Sequence, residues 1–168
     1  EESAGVPMLM AGPDVAAGRR VKTPVSHIDC FPTFVQAVGA SCRMEPPLRG
    51  RSLFDIAGEP YDPERSVLSE YHAAGSPSAA YMLRRGRFKY IHYTGFAPEL
   101  FDLEDDPEEL SDLAPRPEYG SVVDGFEADG QADHVLADAG LGKLFGAHLP
   151  VRRGCRMNDE RLGVADIC

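Results

Sequence analysis

Tyr81-Met82-Leu83-Arg84-Arg85-Gly86-Arg87-Phe88-Lys89-Tyr90-Ile91-His92-Tyr93 is the stretch whose pattern decides the fold. Two runs rich in aromatic and β-branched residues, Tyr81–Arg84 and Arg87–Tyr93, flank the pair Arg85-Gly86. That arrangement predicts a β-hairpin around a glycine turn. Upstream, Ser66-Val67-Leu68-Ser69-Glu70-Tyr71 is a strand candidate. Downstream, Glu99-Leu100-Phe101-Asp102-Leu103 is a further short strand. It runs into the acidic turn Glu104-Asp105-Asp106-Pro107-Glu108-Glu109, where Pro107 is placed to start a helical turn.

Towards the amino end, Val25, Ile28, Phe31, Phe34, Val35 and Val38 recur at the spacing of an amphipathic helix. Ser26 is placed as its N-cap, with Asp29 in the position of a capping box. Pro32 falls in the first two turns and Gly39 supplies a stop. The stretch from Cys42 to Pro63 is Pro- and Gly-rich loop, with Arg51–Ile56 as one turn of helix. The apolar run over residues 6–11, closed by Gly12-Pro13, predicts a buried first strand. A strand at that position needs partners on both sides, so the chain is expected to be a piece of a longer protein. Beyond about residue 115 glycine dilutes the pattern. Only Ala132–Leu144 carries helical periodicity, and Pro150–Cys168 shows none.

Composition narrows the functional classes. The 168 residues are 43% hydrophobic, with 17 Gly, 14 Pro and no Trp, which suits one turn-rich α/β or α+β domain with a real core. A formal charge of -10 argues against a nucleic-acid partner, since phosphate binding needs clustered Lys and Arg. No apolar run reaches the roughly 20 residues of a membrane helix. Cys30, Cys42, Cys155 and Cys168 have no CxxC spacing, so neither a zinc site nor a disulfide framework is indicated. Cys30 reads as a small buried hydrophobe, and a reducing, cytoplasmic setting fits.

Three constellations invite a chemical reading. Ser26-His27-x-Asp29 holds the residue types of a hydrolase triad, but neighbouring helical side chains diverge by about 100° and do not converge on one atom. The alternating acids from Asp102 to Glu108 imitate a calcium loop, yet Pro107 replaces the required Gly and Leu113 the closing Glu. The third is Glu70-Tyr71-His72, at a strand end before the loop Ala73–Ser78. A carboxylate, an aromatic ring and an imidazole placed there suit a cleft that holds a cationic group. No phosphate-cradling loop, zinc-binding helix motif or nucleophile elbow is present.

The order of these segments resembles a known family. Val25-Ser26-His27-Ile28-Asp29-Cys30-Phe31-Pro32-Thr33 is followed by Leu48-Arg49-Gly50-Arg51-Ser52-Leu53, then by Ser69-Glu70-Tyr71-His72 and the hairpin. Glu99-Leu100-Phe101-Asp102-Leu103-Glu104-Asp105-Asp106-Pro107-x-Glu109-Leu110 closes the series. Over about residues 1–114 this resembles the C-terminal half of sulfatases of the alkaline phosphatase superfamily, in the choline-sulfatase-like and arylsulfatase-like branch.

The resemblance implies an α/β architecture: the terminal strand and helix of a large mixed sheet, plus a small antiparallel sheet packed with a helix. Residues 1–63 would end the main domain, 64–115 form the small sheet, and 116–168 a weakly structured tail with one helix. It also implies a parent enzyme that hydrolyses small-molecule sulfate monoesters. That enzyme would use a formylglycine made within a Cys/Ser-x-Pro-x-Arg motif and a divalent cation, usually calcium. Both are expected upstream, so no residue of this chain is assigned a catalytic or metal-binding role. By analogy this half supplies the rim of the substrate pocket, with Glu70 placed to meet a quaternary ammonium beside Tyr71 and His72. A homo-oligomer is left open. A phosphonate or phosphate ester hydrolase of the same superfamily is the alternative, and a stand-alone non-catalytic binding module is another.

Overall fold

The computed structural model describes residues 4–42, 50–72, 75–132 and 155–157. In chain order it holds a short 3-10 turn His27–Asp29, α1 (Cys30–Ala37), β1 (Ala40–Cys42), α2 (Leu53–Gly58), β2 (Ser66–Tyr71), β3 (Ala80–Arg85), β4 (Phe88–Tyr93), β5 (Glu99–Asp102), a 3-10 turn Pro117–Tyr119, α3 (Gly120–Ala132) and β6 (Cys155–Met157). The described residues divide into two compact units. One contains 4–11, 22–24, 61–72 and 75–132; the other contains 12–21, 25–42, 50–60 and 155–157.

The first unit is an antiparallel four-stranded meander in the order β2-β3-β4-β5, as the hairpin pattern predicts. The register pairs Arg85 with Phe88, so the two-residue turn is Gly86-Arg87, one position later than the sequence suggests. Gly86 takes φ +54 while Arg87 stays outside the left-handed region, the distribution of a II′ turn with glycine first. Strand alternation then sorts the sheet into two faces. Leu68, Leu83, Tyr90 and Leu100 align across the four strands on one face and form the core with Leu113 and Phe126.

α3 covers that face, although the sequence shows no helical period there. Gly120, Gly125 and Gly130 weaken its intrinsic propensity. Tertiary packing overrides it: the Phe126 ring stacks on Tyr90 with centroids 5.5 Å apart and planes 9° from parallel. The Arg85 guanidinium lies 4.6 Å from the Phe126 centroid and pairs with Asp129. The predicted helix over 132–144 falls outside the described residues beyond its first position.

The acidic turn also differs from expectation. Pro107 starts no helix; side-chain carboxylates hold the turn instead. Asp102 accepts from the Glu104 amide at 3.1 Å and Asp106 from the Ser111 amide at 2.8 Å. The segment then runs along β5, where Leu100 donates to Asp112 Oδ1 at 3.0 Å and accepts from the Leu113 amide at 2.8 Å. These bonds occupy the ladder groups of Leu100 on the edge of the sheet.

Residues 6–11 form no strand. None of the described strands pairs with them, and Leu9 is 91% exposed. An apolar run without a ladder partner gains nothing from extended geometry alone.

In the second unit, α1 follows the predicted cap: the Ser26 amide donates to Asp29 Oδ2 at 2.8 Å. Burial here follows the amphipathic pattern only in part: Val25 and Val35 are half-buried, and the fully buried positions of the turn and helix are polar. Asp29 and Thr33 are buried, while Ile28, Phe31, Phe34 and Val38 are exposed. The two polar residues stitch the following loop to the helix. Asp29 Oδ1 accepts from the Arg51 amide at 2.8 Å, and Thr33 Oγ1 accepts from the Leu53 amide at 2.8 Å. Ser52 caps α2 by accepting from the Phe54 amide at 3.3 Å.

Candidate functional site

The sheet face opposite α3 carries Ser69, Tyr71, Ala80, Met82, Lys89, Ile91, Tyr93 and Glu99 by strand alternation, and a cleft of about 970 Å³ lies over it. Its floor is apolar, from Met82, Ile91 and Ala80. Its walls carry the aromatic rings of Tyr71, Tyr93 and Phe96 and the carboxylate of Glu99. Tyr71 and Phe96 are 60% and 61% exposed, so their rings are open to a ligand. The Tyr93 hydroxyl donates to Glu99 Oε2 at 2.9 Å. Burial, then that hydrogen bond, pushes the Tyr93 phenol up to about 12, so it stays a donor at neutral pH.

At the other end Lys89 is buried and donates to Glu109 Oε2 at 2.6 Å. Burial pushes the Glu109 carboxyl up, the hydrogen bond and charge of Lys89 act against it, and the net direction is downward. This Lys is already engaged with a carboxylate. The cleft therefore offers an apolar floor, aromatic walls and negative charge. That combination suits an apolar or cationic organic group better than a sulfate anion.

The three residues singled out in the sequence do not converge. Tyr71 faces the cleft. Glu70 and His72 meet each other, His72 Nε2 lying 3.3 Å from Glu70 Oε2, and Glu70 also borders the cleft. The His72 ring packs edge-on against Tyr81 at 5.2 Å. Burial first, and the Glu70 charge second, raise the Tyr81 phenol. Sequence reasoning missed Tyr93, Phe96 and Glu99. The alternation of β4 carried a signal for Tyr93, but the matching position on β5 needs the register.

The metal and formylglycine that the resemblance implies find no fit among the described residues. No three His, Cys, Asp or Glu side chains there come together as a cation site. The buried carboxylates of Asp29 and Asp102 are spent on backbone amides and on Arg87. Cys30-Phe31-Pro32-Thr33-Phe34 has the Cys-x-Pro spacing, but Phe34 stands where the motif needs Arg. Cys30 is half-buried at the head of α1 rather than fully buried. Ser26, His27 and Asp29 form a capping arrangement with Asp29 wholly buried.

The family model for N-sulphoglucosamine sulphohydrolase, C-terminal, matches residues 1–131. The chain is 38% identical over 125 residues to human arylsulfatase K, covering 68% of this chain and 23% of that protein. It is also 38% identical over 118 residues to the choline-sulfatase of Rhizobium meliloti, covering 70% of this chain and 23% of the relative. Among solved structures it resembles a putative sulfatase from Bacteroides thetaiotaomicron at TM-score 0.56 and 29% identity, over 77% of this chain and 29% of that one. The phosphonate monoester hydrolase of Agrobacterium radiobacter matches at TM-score 0.53 and 26% identity, over 73% and 27%. The chain thus spans about a quarter of the length of the curated relatives it matches.

Proposed function

This chain belongs to the N-sulphoglucosamine sulphohydrolase C-terminal family of sulfatase domains, and on that premise we propose that it forms the specificity wall of a sulfate-ester pocket. The cleft opposite α3 holds the organic part of the ester, with Tyr71, Tyr93 and Phe96 against its apolar surface, Glu99 against any positive charge, and Glu70, which alternation directs to the α3 side, reaching the cleft at its border. His72 orients Glu70. The family implies a metal and a formylglycine in the parent enzyme; they supply the polarisation and the nucleophile for sulfate transfer. We assign both, with calcium as the metal, to the remainder of that enzyme. The observation that carries this reading is the placement of three aromatic rings and a carboxylate around one cleft in a sulfatase C-terminal domain.

The test is kinetic, on the parent enzyme. Tyr71→Ala and Glu70→Gln are expected to raise KM for a cationic aryl sulfate severalfold while kcat moves less than twofold. An unchanged KM in both variants would remove the assignment. A second reading, phosphonate ester hydrolysis, is favoured by the Agrobacterium radiobacter likeness. Side-by-side turnover of an aryl sulfate and an aryl phosphonate monoester by the parent enzyme separates the two.

A further inference from the structure

Lys89 is the only cation among the described residues that line the cleft opposite α3. Alternation along β4 puts it on the same face as Ile91 and Tyr93. Its side chain is 7% exposed, so water screens the ammonium weakly and neighbouring protein charges decide its field. Glu109 supplies one: its Oε2 lies 2.6 Å from Nζ, on a side chain that is itself 15% exposed. Glu109 does not line the cleft. Its backbone takes φ +59, and it is the only non-glycine among the described residues in the left-handed region. Such a conformation persists only where the surroundings hold it. The Glu109 amide donates to the Asp106 carbonyl at 3.1 Å, and its carboxylate accepts from Lys89. A glycine would fit this turn without strain but would leave Lys89 without that carboxylate.

We propose that Glu109 sets the charge selectivity of the cleft by cancelling Lys89, so that Glu70 and Glu99 favour a cationic organic group over a carboxylate-bearing one. This role rests on the reading of the cleft as the seat of the ester's organic part, and adds to it a specificity-determining residue that acts through another. The signs follow from the pair. Without the Glu109 charge, a poorly hydrated ammonium stands beside the ligand, repelling a cation and attracting an anion. Without either charge, the balance returns to that of Glu70 and Glu99.

The parent enzyme is assayed on three aryl sulfates of similar size, bearing a trimethylammonium, a tert-butyl or a carboxylate group. Glu109→Gln is expected to raise KM about fivefold for the cationic ester and lower it about fivefold for the carboxylate ester. KM for the neutral ester should move less than about twofold. Glu109→Gly, which suits φ +59, is expected to give the same pattern, so that a disturbed turn is not its source. Adding Lys89→Met to Glu109→Gln is expected to restore the original preference. A common shift for all three esters, or a preference that Lys89→Met leaves altered, would overturn the proposal. So would an unchanged preference in both Glu109 variants while Tyr71→Ala still raises KM. If Tyr71→Ala and Glu70→Gln also leave KM unchanged, the reading of the cleft itself fails, and this role with it.

Discussion

Arg87 clamps Asp102 across the β4–β5 edge: its Nε donates to Asp102 Oδ1 at 2.6 Å, and its Nη2 reaches the other carboxylate oxygen and Asp105 Oδ2 at 2.5 Å. The contact fixes the hairpin turn against the acidic loop. Arg87 follows Gly86 in the turn, and Asp102 ends β5 opposite Phe88. The reach of one guanidinium thus orders a loop that has no helix or strand of its own.

That clamp makes stability pH-dependent. Burial pushes the Asp102 carboxyl up, but the Arg87 hydrogen bond, then the Glu104 amide, push further the other way, and the net direction is down. A carboxyl depressed in the folded state binds its proton more readily when unfolded. Its stabilisation is therefore present above the ordinary carboxylate range and lost as pH falls through the depressed value. The urea midpoint is expected to decline from about pH 5 downward. Asp102→Asn should lower the midpoint at pH 7 and flatten that decline. A variant whose pH profile parallels the unmodified protein's would show that the clamp contributes nothing.

Phe126 carries the helix. Its ring is wholly buried between Tyr90 and the Arg85 guanidinium. Phe126→Ala removes the stack and leaves a cavity, at a cost of about 3–5 kcal/mol. Amide exchange should rise across α3 and over Leu83, Tyr90 and Leu100. A loss below 1 kcal/mol in urea unfolding would mean that α3 does not hold the sheet.

Two glycines separate two kinds of backbone demand. Gly86 needs its positive φ, and the Cβ of an alanine would stand 3.3 Å from the Pro63 carbonyl, so Gly86→Ala costs about 1 kcal/mol. Gly50 has no such φ, but an added Cβ would fall inside the contact distance of the Ile28 carbonyl. The loop carrying the Arg51 amide to Asp29 must then move, and Gly50→Ala costs about 3 kcal/mol. Hydrogen exchange resolved by segment checks the order: Gly50→Ala loosens 25–42 and 50–60, and Gly86→Ala loosens only the hairpin. Equal, global loosening by both would contradict it.

The strands were legible because their aromatic and β-branched runs alternate between two surfaces, and the Ser26–Asp29 cap because its spacing is local. What escaped depends on partners distant in sequence. α3 is glycine-rich and stands only because Phe126 finds Tyr90. The run over 6–11 is apolar enough for a strand but has no ladder to join. The acidic turn was read by the helix preference of Pro107, whereas its carboxylates won by satisfying nearby amides. At the candidate site, Glu70-Tyr71-His72 was found as a string. Alternation splits that string between two faces, and Tyr93, Phe96 and Glu99 join Tyr71 only through the strand register and the β4–β5 turn.

α1 tests how far an apolar stripe can stay open to solvent. The stripe is real in sequence, yet Phe34 is 67% exposed, and the buried positions are Asp29, in the turn before the helix, and Thr33. Phe34→Asp should therefore shift stability in urea unfolding by no more than about 0.5 kcal/mol, as for an exposed surface position. Thr33→Val, which removes the acceptor of the Leu53 amide, should cost more, about 1–3 kcal/mol. A loss above about 2 kcal/mol for Phe34→Asp, or an effect of Thr33→Val no larger than that of Phe34→Asp, would show that the helix is held by its apolar stripe and not by its buried polar positions.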